Sequence, residues 1–453
     1  MISLKKILGL GIIVYSMLAC EGYLAEKPSS SLAIPSTVAD FQALVDYQAR
    51  MNEYYPDCGD NASDYFYLEA ADWNARPEWG RDTYVWNAQA DASRDWLVCY
   101  EKIFYTNTIL QGIDDAALGG LNEIDRRHVK GSAFFLRGWT YLHLVPLFTP
   151  AYDASIANSP YGLPLRLTPD INAETIRSSL GDTYEQIESD LLAAIRLLPE
   201  RPVLATRPSK AAAHAALARM YLMKGQFEDA LTHADSCLAI QSELMDYNAI
   251  DTSVFNSFDE LNPEVIFHAE LQGQSGLLAP SYARVDSSLI QLYSHGDLRL
   301  SVFYTKRPDG SWQFKGSYEG TNYTIFAGLA TDEVYLIKAE CLIRLGDLSN
   351  GIDVMRKLLV NRWRKGTSPE LNKISDSETA LEFVLMERRK ELAFRGGVRW
   401  ADLKRLNKDE RFAKVLIRDI DGVTYELEPN DPRYSFLIPT EVVLMSGVLQ
   451  NER

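Results

Sequence analysis

The sequence predicts a mainly α protein, a superhelix of tetratricopeptide-like helix pairs with long loops and a few short β-hairpins. Three observations predict it. Residues 210–224 and 226–240 are amphipathic stretches joined at Gly225, with Leu217, Ala218 and Tyr221 before the turn and Phe227, Ala230 and Ala234 after it. Small residues where helices cross and large ones between them suit a repeat of paired helices. A looser copy places Ala339 and Leu342 before Gly346, then Leu348, Gly351 and Met355. Finally, 453 residues exceed the roughly 250–300 that one compact core holds, which suits a core extended by stacking.

The elements follow in chain order. Residues 1–19 read as a lipoprotein signal peptide: Lys5 and Lys6 form a positive start, 7–19 a short apolar run, and Leu18-Ala19-Cys20 places a cysteine at the cleavage boundary. Acyl chains on Cys20 would anchor the chain, because each buried methylene contributes about 0.8 kcal/mol. Residues 20–31 form a lipidated tether, and 32–453 are expected to be a single domain. Thr37 and Asp40 have capping-box spacing ahead of Phe41, Leu44 and Val45. Residues 54–86 lose periodicity and carry nine aromatic residues, among them Tyr67, Trp73 and Trp79, so a long aromatic loop region is expected. Helical spacing resumes at Trp96, Tyr100, Ile103 and Asn107, and two further helices are expected near 129–148 and 182–198.

The two turn glycines lie 121 residues apart, so a mixed insertion, about 250–326, separates the repeats. It contains a strand-like run at 265–271 and two apolar stretches, 299–305 and 311–314, flanking the turn Pro308-Asp309-Gly310. Asp421-Gly422 marks another hairpin within 417–427.

Composition excludes several functions. The formal charge is −16, with 46 Lys+Arg against 62 Asp+Glu, and loss of Lys5 and Lys6 with the leader makes it −18. No nucleic-acid partner is expected, because phosphate binding is driven by Lys and Arg. No apolar run reaches the roughly 18–20 residues of a membrane-spanning helix. The six histidines are scattered, and G-x-S-x-G, H-E-x-x-H, Walker A and G-x-G-x-x-G motifs are absent, so no enzyme is expected. Cys237 and Cys341 fall in helical apolar patterns, while Cys58 and Cys99 lie where an oxidising compartment would allow a disulfide.

No cofactor is expected. Asp57, Asp60, Asn61 and Asp64 have the oxygen chemistry of a calcium loop but not the EF-hand spacing, and a solvated acidic loop is the commoner explanation.

An ordered set of blocks resembles the SusD/RagB family of outer-membrane nutrient-binding lipoproteins of Bacteroidetes. The blocks are the lipobox at Cys20; Asp40-Phe41-Gln42-Ala43-Leu44; Trp96, Tyr100, Ile103 and Asn107; 131–137 with Tyr141 and Leu144; and 184–191 with Leu198-Pro199. They continue through 208–211, Glu387-Arg388-Arg389-Lys390-Glu391 with Gly397, Arg399, Trp400 and Asp402, and end at Ile438-Pro439, Glu441 and Gln450-Asn451. The resemblance implies about four helix pairs and a surface lipoprotein that captures a glycan, or in some members a peptide, for a SusC-like TonB-dependent transporter. Two departures stand out. The chain is short for the family, and Arg395 stands where many members carry an acidic residue.

A sugar ring offers an apolar C–H face and a rim of hydroxyls, so a site for it needs flat aromatic side chains with amides or charges beside them. Trp73, Asn74, Arg76, Trp79 and Arg81 have that composition, and Trp312, Tyr318, Asn322 and Tyr323 are the expected opposing wall. The competing reading makes Trp73 or Trp79 a plug beneath the loop. Trp86, Trp96, Trp139, Trp363 and Trp400 are expected in the core or facing a transporter, and the charges of 387–402 are expected to bridge helices.

Overall fold

The computed structural model describes residues 35–271, 273–321 and 324–453. The expected leader, the tether with Cys20, and the candidate residues Asn322 and Tyr323 lie outside the described residues.

Ten helices carry the architecture: α1 (Val38–Val45), α2 (Ser93–Gly112), α3 (Glu123–Phe148), α4 (Leu180–Leu197), α5 (Lys210–Lys224), α6 (Phe227–Ile240), α7 (Thr331–Arg344), α8 (Leu348–Leu359), α9 (Ser377–Glu391) and α10 (Val398–Leu406). The expected capping box starts α1: the Asp40 N–H donates to Thr37 Oγ1 at 3.1 Å, and the Thr37 N–H donates to the Asp40 carboxylate at 2.9 Å. From α2 to α6 each helix packs on the next in sequence, and α6 then packs directly on α7, which packs on α8 and α9. The insertion is therefore looped out while the helix stack runs on unbroken. Gly225 and Gly346 end α5 and α7 with φ of +73° and +90°, a backbone that a side chain disfavours, which is why both turns contain glycine.

Six alanines of α5 are buried, so its backbone approaches its neighbours closely, and the second half of α3 is buried from Phe135 to Phe148. Arg137 on α3 holds Asp190 of α4 through two bonds, at 2.8 and 2.6 Å, and also donates to Asn107 of α2 at 2.9 Å. One guanidinium thus joins three helices. The five tryptophans expected in the core are all buried, Trp139 and Trp400 completely.

Four two-stranded antiparallel sheets are found among the described residues: β1 (Phe66–Tyr67) with β3 (Arg284–Val285), β2 (Val265–Phe267) with β6 (Leu329–Ala330), β4 (Tyr304–Lys306) with β5 (Trp312–Phe314), and β7 (Leu416–Ile420) with β8 (Val423–Leu427). Asp421 and Gly422 both take positive φ, the two-residue turn that suits twisted strands.

Three expectations are corrected. The region 54–86 contains short helices of one to two turns at Cys58–Asn61, Ala70–Asn74 and Glu78–Tyr84, too short for sequence periodicity to register. Residues 299–303 form a helical turn ahead of β4, because Arg299 is drawn inward to Asp297, Glu387 and Glu391. Cys58 and Cys99 are free, buried thiols, and burial pushes both up beyond the usual thiol range.

The insertion and residues 65–85 form a second, aromatic core beside the helix stack. Buried charge joins it to the C-terminal helices. Arg362 donates to Glu391 at 2.6 Å and to Glu264 at 2.8 and 2.9 Å; Arg299 donates to Glu387 at 2.6 Å and Glu391 at 2.9 Å. Lys390 pairs with Glu387 and Asp297, each at 2.7 Å. Arg388 of α9 holds Asp402 of α10 at 2.8 Å, a bridge between helices of the expected kind, whereas Arg399 holds Asp64 of the N-terminal region at 2.6 Å.

Candidate ligand-binding site

The aromatic core opens on a groove of about 540 Å³ between the β1–β3 pair and the β4–β5 hairpin. Tyr67 and Glu69 line one side, Trp312 and Asp309 the other, and Arg284 and Gln291 also face the space. Pairing places Tyr67 opposite Arg284 on β1–β3 and Lys306 opposite Trp312 on β4–β5. The hairpin tip is held by Asp309, which accepts from the Ser311 N–H at 2.9 Å and hydroxyl at 2.6 Å. Those bonds lower its carboxyl below the ordinary range and keep it charged.

Arg284 ties the two walls together. It donates to Asp72 at 2.9 Å and faces Glu69 at 3.5 Å and Asp309 at 3.6 Å. Burial works against its charge, and the Asp72 bond with the nearby carboxylates more than offsets this. The Tyr67 ring is 38% exposed, and burial together with Glu69 raises its hydroxyl pKa, so it remains a donor. Trp312 is half-buried, with the Lys306 ammonium 5.2 Å from its ring. Two accessible aromatic faces therefore flank a polar strip of donors and acceptors, a combination that suits a ligand with an apolar face and hydroxyl edges.

The other sequence-predicted residues occupy a neighbouring rim. Trp73 packs on the aromatic core, donates its indole N–H to the Arg81 carbonyl at 3.4 Å, and has the Arg81 guanidinium 5.4 Å from its ring. Trp79 is half-buried under Arg94, 4.8 Å away, which itself donates to Gln274 at 2.6 Å. Arg76 stacks on Tyr282 at 4.0 Å, and Asn74 is exposed at the end of its short helix. Neither Trp73 nor Trp79 lines the groove; Asp72, beside Trp73, reaches it through Arg284.

Tyr318, expected on the opposing wall, is fully buried instead. Its hydroxyl donates to Glu264 at 2.9 Å and bonds Tyr247 at 2.8 Å, and Arg395 stacks 3.6 Å over its ring while pairing with Asp332 at 2.7 Å. The departure at Arg395 thus has its own local partner. Sequence reasoning left Tyr67, Glu69, Arg284, Gln291 and Asp309 out of the site. Asp309 was visible only as a turn residue, and Arg284 has no local pattern to mark it.

The oxygen-rich loop does not suit calcium. Asp64 is clamped by Arg399 and Lys414, each at 2.6 Å, and by Arg389 at 3.3 Å. Asp60 accepts the Gly397 N–H at 2.8 Å and is pushed up to about 7 by burial. Asp57 accepts from Asn61 at 2.9 Å, and burial beside Asp95 raises it well above the carboxylate range. Among the described residues no three His, Cys, Asp or Glu side chains converge as a metal site.

A stack of helix pairs that displays an aromatic groove on an insertion defines a helical-repeat binding protein. Residues 22–222 match the SusD-like family model described as starch-binding, associating with the outer membrane, and residues 303–436 match the SusD family model. The chain belongs to the SusD/RagB family, whose members are binding proteins and not enzymes. The SusD-like protein P2 of Formosa agariphila is 33% identical over 141 residues, a segment covering 31% of this chain and 25% of that protein. The fold matches a SusD superfamily protein of Bacteroides thetaiotaomicron, at 19% identity and a TM-score of 0.74, over 92% of this chain and all of the other. It also matches a SusD-like carbohydrate binding protein of Bacteroides vulgatus, at 21% identity and a TM-score of 0.66, over 91% and 97%.

Proposed function

We propose that this protein captures an oligo- or polysaccharide at the cell surface and passes it to a SusC-like TonB-dependent transporter, held at the outer membrane by lipid on Cys20. The observation that carries this reading is the groove, where Tyr67 and Trp312 face a strip containing Arg284, Glu69, Asp309 and Gln291. Sugar rings stack their C–H faces on the two aromatic side chains, while hydroxyls donate to the carboxylates and accept from Arg284 and the Tyr67 hydroxyl. Work is done by binding alone. The family description, starch-binding and associating with the outer membrane, supports both the ligand class and the location. The acidity of the chain favours neutral over anionic glycans.

Isothermal titration against a polysaccharide panel tests this. At least one glycan binds, and Trp312→Ala and Tyr67→Ala each weaken it about tenfold or more, which corresponds to about 1.4 kcal/mol. Binding of peptides and of no glycan refutes the ligand class, and unchanged affinity in both variants refutes the site. Loss of the protein from the outer-membrane fraction in Cys20→Ala tests the anchor.

A further inference from the structure

Three arginines on the rim beside the groove stack on aromatic rings and answer to no carboxylate. The Arg76 guanidinium lies 4.0 Å from the Tyr282 ring, Arg94 lies 4.8 Å from Trp79, and Arg81 lies 5.4 Å from Trp73. All three gather about one stretch, 274–282. Arg94 donates to the Gln274 side chain at 2.6 Å. Gly276 leaves the room that Arg76 fills, since a Cβ there would stand 2.9 Å from its terminal nitrogen, and Gly80, next to Arg81, packs on Ser275. Among the described residues none of the three forms an ion pair. The acidic neighbours are engaged elsewhere or face solvent: Asp72 and Glu69 face Arg284, Asp82 accepts from Asn87 at 3.0 Å, and Glu78 is exposed.

Charge in this part of the molecule is therefore sorted into two zones. In the groove, carboxylates surround Arg284; on the rim, guanidiniums are stacked and unpaired. A guanidinium against a ring gains cation–π attraction while its N–H groups, lying in its own plane, remain available to a second partner. Few of those donors are used within the chain: Arg76 gives Nε to the Asp72 carbonyl at 3.2 Å and Arg94 one nitrogen to Gln274. The planar fork of donors matches the paired oxygens of a carboxylate or a sulfate ester. Rim and groove share a boundary, because the Tyr282 that carries Arg76 accepts from Arg284 through its carbonyl at 3.1 Å. The net charge of the chain does not oppose an anion here: it acts at long range and is screened beyond roughly 8 Å at physiological salt, whereas the guanidiniums act at contact.

We propose that this rim is an anion subsite continuing the groove, where Arg76, Arg81 and Arg94 receive a carboxylate or sulfate group carried by the saccharide whose rings stack on Tyr67 and Trp312. The proposal rests on the groove's holding a glycan and narrows its class: a chain of mostly neutral rings with an acidic substituent, the rings read by the groove and the substituent by the rim.

Isothermal titration of the full chain with matched pairs that differ only in charge tests it: oligogalacturonate against its methyl ester for the carboxylate, and dextran sulfate against dextran for the sulfate, with polyglutamate as a non-saccharide anion. In at least one pair the anionic member binds about five- to tenfold tighter than its neutral partner, and the ratio falls to within about twofold in the double variant Arg76→Gln, Arg94→Gln. That variant unfolds at a midpoint close to the unmodified chain's, since it removes no ion pair. Trp312→Ala weakens the anionic member too, because rings and substituent belong to one ligand. Equal affinity within both pairs, a ratio indifferent to the arginine variant, anion binding indifferent to Trp312→Ala, or polyglutamate binding as tightly as the anionic glycan overturns the proposal. Neutral members bound through Trp312 with no gain from charge leave the groove reading standing and overturn the subsite alone; binding by no member of either pair overturns the subsite as well.

Discussion

Trp312 and Tyr318 lie six residues apart in one insertion and meet opposite fates. Trp312 sits half-buried on the β4–β5 hairpin, one side packed on the aromatic core, with the Lys306 ammonium near its ring and the groove open beside it. Tyr318 lies under Arg395 with its hydroxyl bonded twice, inside the charge network of Glu264, Arg362 and Glu391. The difference teaches how this fold divides its labour. Buried ions lock the insertion to the C-terminal helices, because an ion left unpaired there is costly, and Trp312, the aromatic side chain that the insertion offers to the groove opposite Tyr67, lies where those ions do not reach.

That division is broken most severely at Arg362. Arg362→Met leaves buried Glu264 without its cation and Glu391 with Arg299 alone, and lowers unfolding stability by about 3–5 kcal/mol in urea titrations. A loss within error places the network outside the stabilising core. The next effect falls on binding and not on folding: Trp312→Ala shifts the unfolding midpoint little while glycan affinity drops about tenfold. Tyr318→Phe does the converse, costing about 1–2 kcal/mol through its two lost bonds and leaving affinity within twofold. A reversed pattern for these two residues contradicts the comparison.

The smallest effect is a pH slope. Asp60 is pushed up to about 7 by burial from an ordinary 3.8, so the folded protein keeps its proton to near neutrality while the unfolded chain releases it near pH 4. Its contribution to stability is full below about pH 4 and is lost as pH rises to about 7. Asp60→Asn keeps an acceptor for the Gly397 N–H and reduces the fall in urea midpoint between about pH 4.5 and about pH 7.5. An unchanged fall means that Asp60 is ionised in the folded state.

The helix pairs were legible because they rest on local rules. Glycine at the αL turn position, small residues at crossings and the Thr37/Asp40 box act within a few residues, and Asp421-Gly422 marks its hairpin in the same way. The site was legible in kind but not in detail. Trp312 and Tyr318 look equivalent in sequence, and only Arg395 and Glu264, distant along the chain, decide which is covered. Arg284 reaches the groove through strand pairing with Tyr67, a contact across more than two hundred residues that no local pattern announces. The acidic loop misled for the same reason: Asp64 is neutralised by cations from the C-terminal region, more than three hundred residues away.

Hydrogen–deuterium exchange of the full chain, with and without the glycan that binds in titration, tests the central claim most directly. Protection is expected at 66–72, 284–291 and 304–314, with the amides of α9 and of 362–363 unchanged. Protection confined to the helix stack, or to the rim around Trp79 with none in the hairpin, contradicts it.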